Sequence, residues 1–440
     1  MKAFTPQSAR AVAAAVVARV LDERAWAQPT LASALEQSGL DGRDKALCTE
    51  LVYGTLRHCS SLEKSLLRSA DKPGRGLDKR MRPHLLVAAY QLQHLPERIP
   101  AHAAVSEAVD AIKRVRPGLD KFANALLRKL GSPLVDLLPA TASFEELADA
   151  LGIPLLLARA LHVGEGERKD ALAALNGRPS TYAFALRQGD APVASERAHA
   201  FVPGAYALEG GAVTKQDGFL EGDFVVMDPG SATCALLLAR APGMRVIDLC
   251  AAPGGKTALL ASQARPLEGE AGGGKVVAVE KSGERARMIK ETLARTKLLE
   301  RVDVVIADAL QARVDPADAV LLDAPCTGFG TTRRKPEIKL RRSEADVRDG
   351  ALLQAKLLDR ALELTKRGGV LVYSVCSPIA AEGVDHIERL LATRDDLVVE
   401  HARETLPWLP ADAVDARGCV RLLTHRHDAD AFFIARLRKR

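Results

Sequence analysis

Two cysteines stand where a reactive group would be useful. Cys326 lies in Asp323-Ala-Pro-Cys-Thr-Gly328, and Cys376 lies in Tyr373-Ser-Val-Cys-Ser-Pro378. Each follows an apolar run of strand character, so each is expected where a strand gives way to a loop. A lone cysteine is usually a small buried hydrophobe. Two at the ends of neighbouring strands, over a pocket, point instead to thiolate chemistry. The remaining five are Cys48, Cys59, Cys234, Cys250 and Cys419. No Cys-x-x-Cys pair occurs, so neither a zinc knuckle nor a thioredoxin motif is expected.

A second constellation surrounds Asp248-Leu-Cys-Ala-Ala-Pro-Gly-Gly-Lys-Thr257. Gly254 and Gly255 allow a ligand to approach the backbone closely. The loop is not a Walker A sequence, because Cys250 occupies the position of its first glycine. It also lacks the Gly-x-Gly-x-x-Gly of dinucleotide binders. Glu280, Asp308 and Asp323 end the next three apolar runs. Taken singly, each acid reads as a loop cap. With Asp248 they form a row of four strand-end carboxylates. A ligand with a ribose, an adenine and a charged amino-acid tail suits such a row, and S-adenosylmethionine is that ligand.

The two constellations suit one reaction. C5 of a pyrimidine is a poor nucleophile. Thiolate attack on C6 makes C5 enamine-like, so that it takes a methyl group from a sulfonium. A base then removes the C5 proton and the thiolate departs. One cysteine as nucleophile and a second as helper meet this need, and Asp323 would hydrogen-bond the amino edge of cytosine.

These groups need a parallel sheet to bring them together. From about residue 243 the chain alternates strand, loop and helix. Strands are predicted at 244–249, 275–280, 302–307, 319–323, 369–374, 396–400 and 431–437. Continuous apolar strands alternating with helices imply a mostly parallel sheet covered on both faces. That gives seven strands, the last antiparallel. Ligands of such sheets bind at the carboxyl ends of the strands. Residues 1–135 instead repeat apolar residues at spacings of three and four, punctuated by Gly and Pro, and read as an all-α domain. Between them, 136–240 reads as a linker helix, with 143–161 helical, followed by a small α/β subdomain. The α/β domain is placed at 241–440.

Composition narrows the class. The 440 residues are 47% hydrophobic and 27% charged, which excludes wholesale disorder. Aromatics are only 4%, which argues against a base-stacking platform as the main device for holding nucleic acid. The net charge of +6 is uneven: residues 1–130 carry 21 Lys+Arg against 13 Asp+Glu, leaving −2 for the remainder. A basic amino-terminal part suggests a polyanion partner, though a solvated helix surface would look the same. Residues 331–342 hold Arg333, Arg334, Lys335, Lys339, Arg341 and Arg342 against Glu337. Such density beside the Cys326 loop predicts phosphate contact, with a solvated face as the alternative. No membrane span, secretion signal or metal site is expected, and the sparse, odd cysteine set suits a reducing cytoplasm.

The three sequences around Asp248–Thr257, Cys326 and Cys376 closely resemble motifs of the Sun (Nop2/Sun) family of RNA cytosine-5 methyltransferases. Within it the chain is similar to bacterial members that act on 16S ribosomal RNA and begin with a NusB-like helical RNA-binding domain. Residues 99–109, 122–128, 333–339 and 430–437 fit as well. The resemblance implies an all-α NusB-like domain followed by a Rossmann-like class I S-adenosylmethionine-dependent methyltransferase domain. It implies Cys376 as nucleophile and Cys326 as the group assisting release. It implies cofactor binding by Cys250, Ala251, Ala252, Pro253, Gly254, Gly255 and Lys256, with Glu280, Asp308 and Asp323, and it points Lys256 toward the base. The implied partner is free or early-assembly 16S ribosomal RNA, with cytosine 967 as the family site. Departures are Val375 where Thr is usual, Glu280 where Asp is frequent, and the 425–430 approach to the last strand. Alternatives are a non-catalytic RNA-binding or antitermination factor, and methylation of another ribosomal or transfer RNA cytosine. A DNA methyltransferase, with Cys326 as its nucleophile, is a further one.

Overall fold

The computed structural model describes residues 8–70, 76–186, 198–208, 210, 213–239, 241, 243–263 and 275–440. Its contacts divide the chain into two units, residues 1–178 with 332–341, and residues 179–331 with 342–440.

The first unit is helical: α1 (Ala9–Asp22), α2 (Ala27–Gln37), α3 (Gly42–Arg57), α4 (Cys59–Arg68), α5 (Arg82–His94), α6 (Ala101–Val115) and α7 (Asp120–Arg128), then α8 (Phe144–Leu151), α9 (Leu155–Ala160) and α10 (Arg168–Ala174). Small residues let α1, α3 and α5 pack closely around one apolar core of Val12, Val16, Leu51, Leu56, Leu85 and Leu86. The expected helix over 143–161 is two helices. Ser143 opens α8 with a capping box, Gly152 closes it at φ +67°, and Pro154 precedes α9.

The second unit contains two sheets. Strands β1 (Tyr182–Ala185), β2 (Ala205–Ala207) and β3 (Phe224–Val226) form a small antiparallel sheet in the order β2-β1-β3. The larger sheet has β4 (Val246–Leu249), β5 (Val276–Glu280), β6 (Val302–Ile306), β7 (Ala317–Asp323), β8 (Thr365–Val375), β9 (Leu397–Val399), β10 (Val420–Leu422) and β11 (Phe432–Lys439). Its order is β10-β11-β8-β7-β4-β5-β6, with β9 also paired to β11. Strands β4 to β8 are parallel, and β11 runs antiparallel to β8, as expected of the last strand. The sheet has eight strands where seven were expected. The extra one, β10, is three residues long, too short to carry a periodic signal.

Alternation along the strands buries both faces. Val246, Val276, Ala319, Leu321 and Val372 pack with α11 (Pro229–Leu237), α12 (Gly255–Ser262) and α13 (Gly283–Arg295). Ile247, Val277, Val320, Leu322 and Leu371 pack on the other face with residues of two helices that follow β7. Between β7 and those helices, the short α14 (Ile338–Arg341) belongs to the helical unit, and the two helices are α15 (Glu344–Leu364) and α16 (Val384–Thr393). No helix among the described residues is long and apolar enough to cross a membrane.

The expected boundaries near 135 and 240 are not where the contacts divide. Helices α8 to α10 join the helical unit, and the small sheet joins the α/β unit. Lys64 of α4, for example, donates to the Asp149 carbonyl of α8 at 3.3 Å.

Candidate active site

Parallel strands β4 to β8 deliver their carboxyl ends to one edge of the sheet, and the predicted residues gather there. The β4–α12 loop turns sharply: Cys250 takes φ +62° and the Ala252–Pro253 peptide is cis. Gly254 takes φ +103°, and a Cβ there would stand 3.0 Å from the Ile289 Cα. Glycine at this position is therefore required by both conformation and space.

The acids divide into two kinds. Asp248 faces the α12 side of the sheet, is 1% exposed, and accepts from the Thr257 hydroxyl at 2.6 Å. Its other oxygen makes no hydrogen bond among the described residues, and burial pushes its pKa up to about 7. Glu280 is buried at the end of β5 and accepts from the Ser282 N–H at 3.0 Å and the Ala252 N–H at 3.3 Å. Glu280 also lies 3.8 Å from an Arg285 guanidinium nitrogen, while Asp308 and Asp323 have closer lysine partners. Asp308 lies 2.8 Å from Lys281 Nζ, and that hydrogen bond holds its pKa below the usual carboxylate range. Asp323 accepts from Lys256 Nζ and from the Ser374 hydroxyl, both at 2.8 Å. Burial opposes the Lys256 charge, yet Asp323 and nearby sulfurs keep its pKa above the ordinary lysine value.

The two cysteines meet. Strands β7 and β8 are neighbours with Asp323 opposite Ser374, and the Cys326 and Cys376 sulfurs lie 3.4 Å apart. Hydrogen bonding to Cys376, added to burial, raises the Cys326 pKa well above the usual thiol value. The other cysteines have no such company. Burial alone pushes Cys48 up to about 12 and is the leading cause of the same rise at Cys59, Cys234, Cys250 and Cys419.

The basic run at 333–342 is not the open phosphate cradle that its charge suggested. Residues 332–341 fold into the helical unit. Arg333 and Lys339 are buried, and Lys339 donates to the Arg57 carbonyl at 2.7 Å and to the Asn176 side chain. Arg341 donates to the Val20 and Ala25 carbonyls and lies over the Trp26 ring, while Arg342 pairs with Asp346. Arg334 is half-buried, and Lys335 alone of the six is exposed. A cation spent on main-chain carbonyls inside a helical core does not reach a phosphate.

Sequence reasoning also passed over Ser374 and Glu382. Glu382 is fully buried beside both cysteine loops. Its position six residues after Cys376 was the available clue.

The crystal structure of PH0851 matches 100% of this chain and 100% of its own at a TM-score of 0.76 and 24% identity, a likeness of fold. Two family models match: "NusB family" over residues 7–132, and "16S rRNA methyltransferase RsmB/F" over residues 235–438. Fold and site together define a NusB-type helical domain joined to a Rossmann-like, S-adenosylmethionine-dependent methyltransferase domain. Ribosomal RNA small subunit methyltransferase B of Xylella fastidiosa (strain Temecula1) is 34% identical, over 98% of this chain and 97% of that protein. The putative methyltransferase Rv1407 of Mycobacterium tuberculosis is 35% identical, over 94% and 93%. The chain belongs to the RsmB/F family of 16S rRNA methyltransferases.

The residues present fit the cofactor. The Gly254 turn seats the loop against Ile289 of α13, which fixes the loop at the carboxyl edge of the sheet. The buried, unpaired oxygen of Asp248 and the strand-end carboxylates supply acceptors for hydroxyl and ammonium groups.

Proposed function

We propose that the chain methylates C5 of a cytosine in 16S ribosomal RNA, at the family's position 967, through a covalent adduct between Cys376 and C6. The observation that carries this reading is the pair of sulfurs 3.4 Å apart beside the Lys256–Asp323 ion pair. Residues Cys250 to Lys256, with Glu280, Asp308 and Asp323, hold the cofactor, which supplies an electrophilic methyl group on a sulfonium.

The chemistry follows from the residues. The Cys376 thiolate forms the S–C6 bond, and the C5=C6 electrons make C5 nucleophilic. Asp323, held by Lys256 and Ser374, accepts a hydrogen bond from the amino edge of cytosine and so orients the ring. After C5 gains its methyl group, the C5–H bond must break. Once the Cys376 sulfur is bonded to carbon, Cys326 is the remaining sulfur of the pair. The free Cys376 sulfur is a leading cause of the raised Cys326 pKa, so its bonding to carbon relieves that shift; Cys326 then gives its own proton to solvent and, as the thiolate, takes the C5 proton. The C5–H electrons rebuild the double bond, and the S–C6 electrons return to Cys376. The base must leave its stack to reach this edge. Lys335 and the positively charged helical domain hold the RNA backbone. The substrate is free or early-assembly small-subunit RNA, met in the cytoplasm.

The two cysteines should fail differently. Cys376→Ala is expected to form no adduct and no product. Cys326→Ala is expected to attack and methylate, then stall as an RNA-linked band that survives a denaturing gel. The opposite pattern would make Cys326 the nucleophile. Neither adduct nor methyl transfer in the unaltered protein would reduce the chain to an RNA-binding factor.

A further inference from the structure

The structure assigns to Glu382 the role of a positioning residue that holds the Cys326 and Cys376 loops in mutual register. This rests on the reading of the two cysteines given above, and it concerns a residue that touches neither the reacting base nor the cofactor.

Glu382 is 0% exposed, and no Lys, Arg or His pairs with it among the described residues. A buried carboxylate without a cation is costly unless every lone pair is used. All are used here. Oε1 accepts from the Thr327 N–H at 2.7 Å and from the Gln354 amide at 3.3 Å. Oε2 accepts from the Thr327 hydroxyl and the Ser377 hydroxyl, each at 2.6 Å. Thr327 directly follows Cys326, and Ser377 directly follows Cys376. One carboxylate therefore ties together the residues next to both sulfurs.

The choice of residue follows from the inventory of acceptors. An ionised carboxylate offers about four acceptor sites and no donor. Three of the four donors come from the two cysteine loops, and the Thr327 N–H cannot turn to offer a lone pair. An amide with its oxygen in the Oε1 place would turn its NH₂ to the two hydroxyls, which must then accept, and the charge-assisted bonds would become weaker neutral ones. An apolar side chain would leave all four unmet.

The surroundings hold Glu382 itself in place. The Tyr373 hydroxyl donates to its carbonyl. Gln354, also 0% exposed, donates to the Pro325 carbonyl at 2.9 Å, so α15 reaches the residue before Cys326 as well. His386 meets Gln354 Oε1 at 3.2 Å, and burial keeps this imidazole neutral by lowering its pKa to about 4. The cysteine loops thus hang from one buried network rooted in α15 and the turn before α16.

The test is an arsenical probe. Phenylarsine oxide loses water and bridges two thiols through two As–S bonds, so its affinity reports how well the pair is held together, with or without catalysis. Glu382→Gln is expected to bind it about tenfold more weakly, the equivalent of one charge-assisted hydrogen bond. Single-turnover methyl transfer should fall by a similar factor, and S-adenosylmethionine affinity should stay within about twofold. Should Glu382→Gln not fold, as loss of cofactor binding would reveal, Ser377→Ala removes one donor and no charge. About threefold weaker arsenical binding is expected there. Affinity and methyl transfer at the level of the unaltered protein, in whichever of the two variants folds, would overturn the assignment. Methyl transfer by Cys376→Ala would instead overturn the reading of the cysteines, because the arsenical result does not depend on which sulfur attacks.

Discussion

Asp248 shows how much one buried oxygen carries. Its pKa rises from an ordinary 3.8 to about 7 because burial penalises the charged form. Between those values the unfolded chain has lost this proton while the folded chain keeps it. Stability from this group is thus fully present below about pH 4 and is lost as pH rises toward 7. Asp248→Asn cannot ionise. Urea unfolding of the cofactor-free protein at stepped pH should show the native chain falling more steeply than the variant across this window. The difference should be no more than about 1.4 kcal/mol per pH unit. Equal slopes would mean that Asp248 ionises as freely folded as unfolded.

At the scale of elements, the Cys326 loop is seated by main-chain contacts as well as by Glu382. The Gly330 N–H donates to the Cys376 carbonyl at 2.9 Å, and the Gly330 carbonyl accepts from the Ala431 N–H at 3.1 Å. The loop is thereby pinned between the end of β8 and the start of β11. A Cβ on Gly330 would fall 1.9 Å from the Ala431 carbonyl oxygen. Gly330→Ala must push main chain apart, at a cost of about 1–3 kcal/mol. A lowered thermal midpoint is expected, with a larger loss in adduct formation than in cofactor affinity. The Asp248–Thr257 loop shares none of these contacts. An unchanged midpoint would show that the loop yields freely.

For the whole molecule, the notable fact is that a stretch embedded in the catalytic sequence folds with the helical unit. Glu337 accepts from the Ala27 N–H at 2.9 Å, Lys339 donates to Arg57 and Asn176, and Arg341 ends on the Val20 carbonyl in the last turn of α1 and the Ala25 carbonyl beyond it. Arg57 returns the contact by donating to the Arg333 carbonyl at 2.8 Å. Lys339→Ala removes two of these bonds. It should destabilise the helical unit by about 1–3 kcal/mol. Faster hydrogen exchange at the carboxyl end of α3, with unchanged cofactor affinity, would register the loss. Burial lowers the Lys339 pKa to about 7, so the unfolded chain holds this proton up to about pH 10 while the folded chain releases it near 7. The contribution of Lys339 is present at alkaline pH and is lost as pH falls toward 7. The difference between native and variant stabilities should therefore widen from pH 7 to pH 9. A constant gap would contradict the shift.

Much of this protein was legible as text because its information is local. Apolar runs of four to seven residues predicted β4 to β8, and their alternation with helices predicted a parallel sheet. A parallel sheet in turn requires the strand-end acids and both cysteines to share one edge. The helical character of residues 1–135 followed from spacings of three and four alone. Tertiary structure decided what depends on partners distant in sequence. Three-residue β10 exists because β11 offers it a ladder. Whether a cation is a phosphate contact or an internal brace depends on the carbonyls brought to it, and those of Arg57, Val20 and Ala25 lie some 280 to 320 residues away from Lys339 and Arg341. Glu382 reads as one more surface acid until β7 and β8 lie side by side. Only then do Thr327 and Ser377 converge on it, since hydrogen bonds are made in space and a one-dimensional pattern records only which donors and acceptors exist.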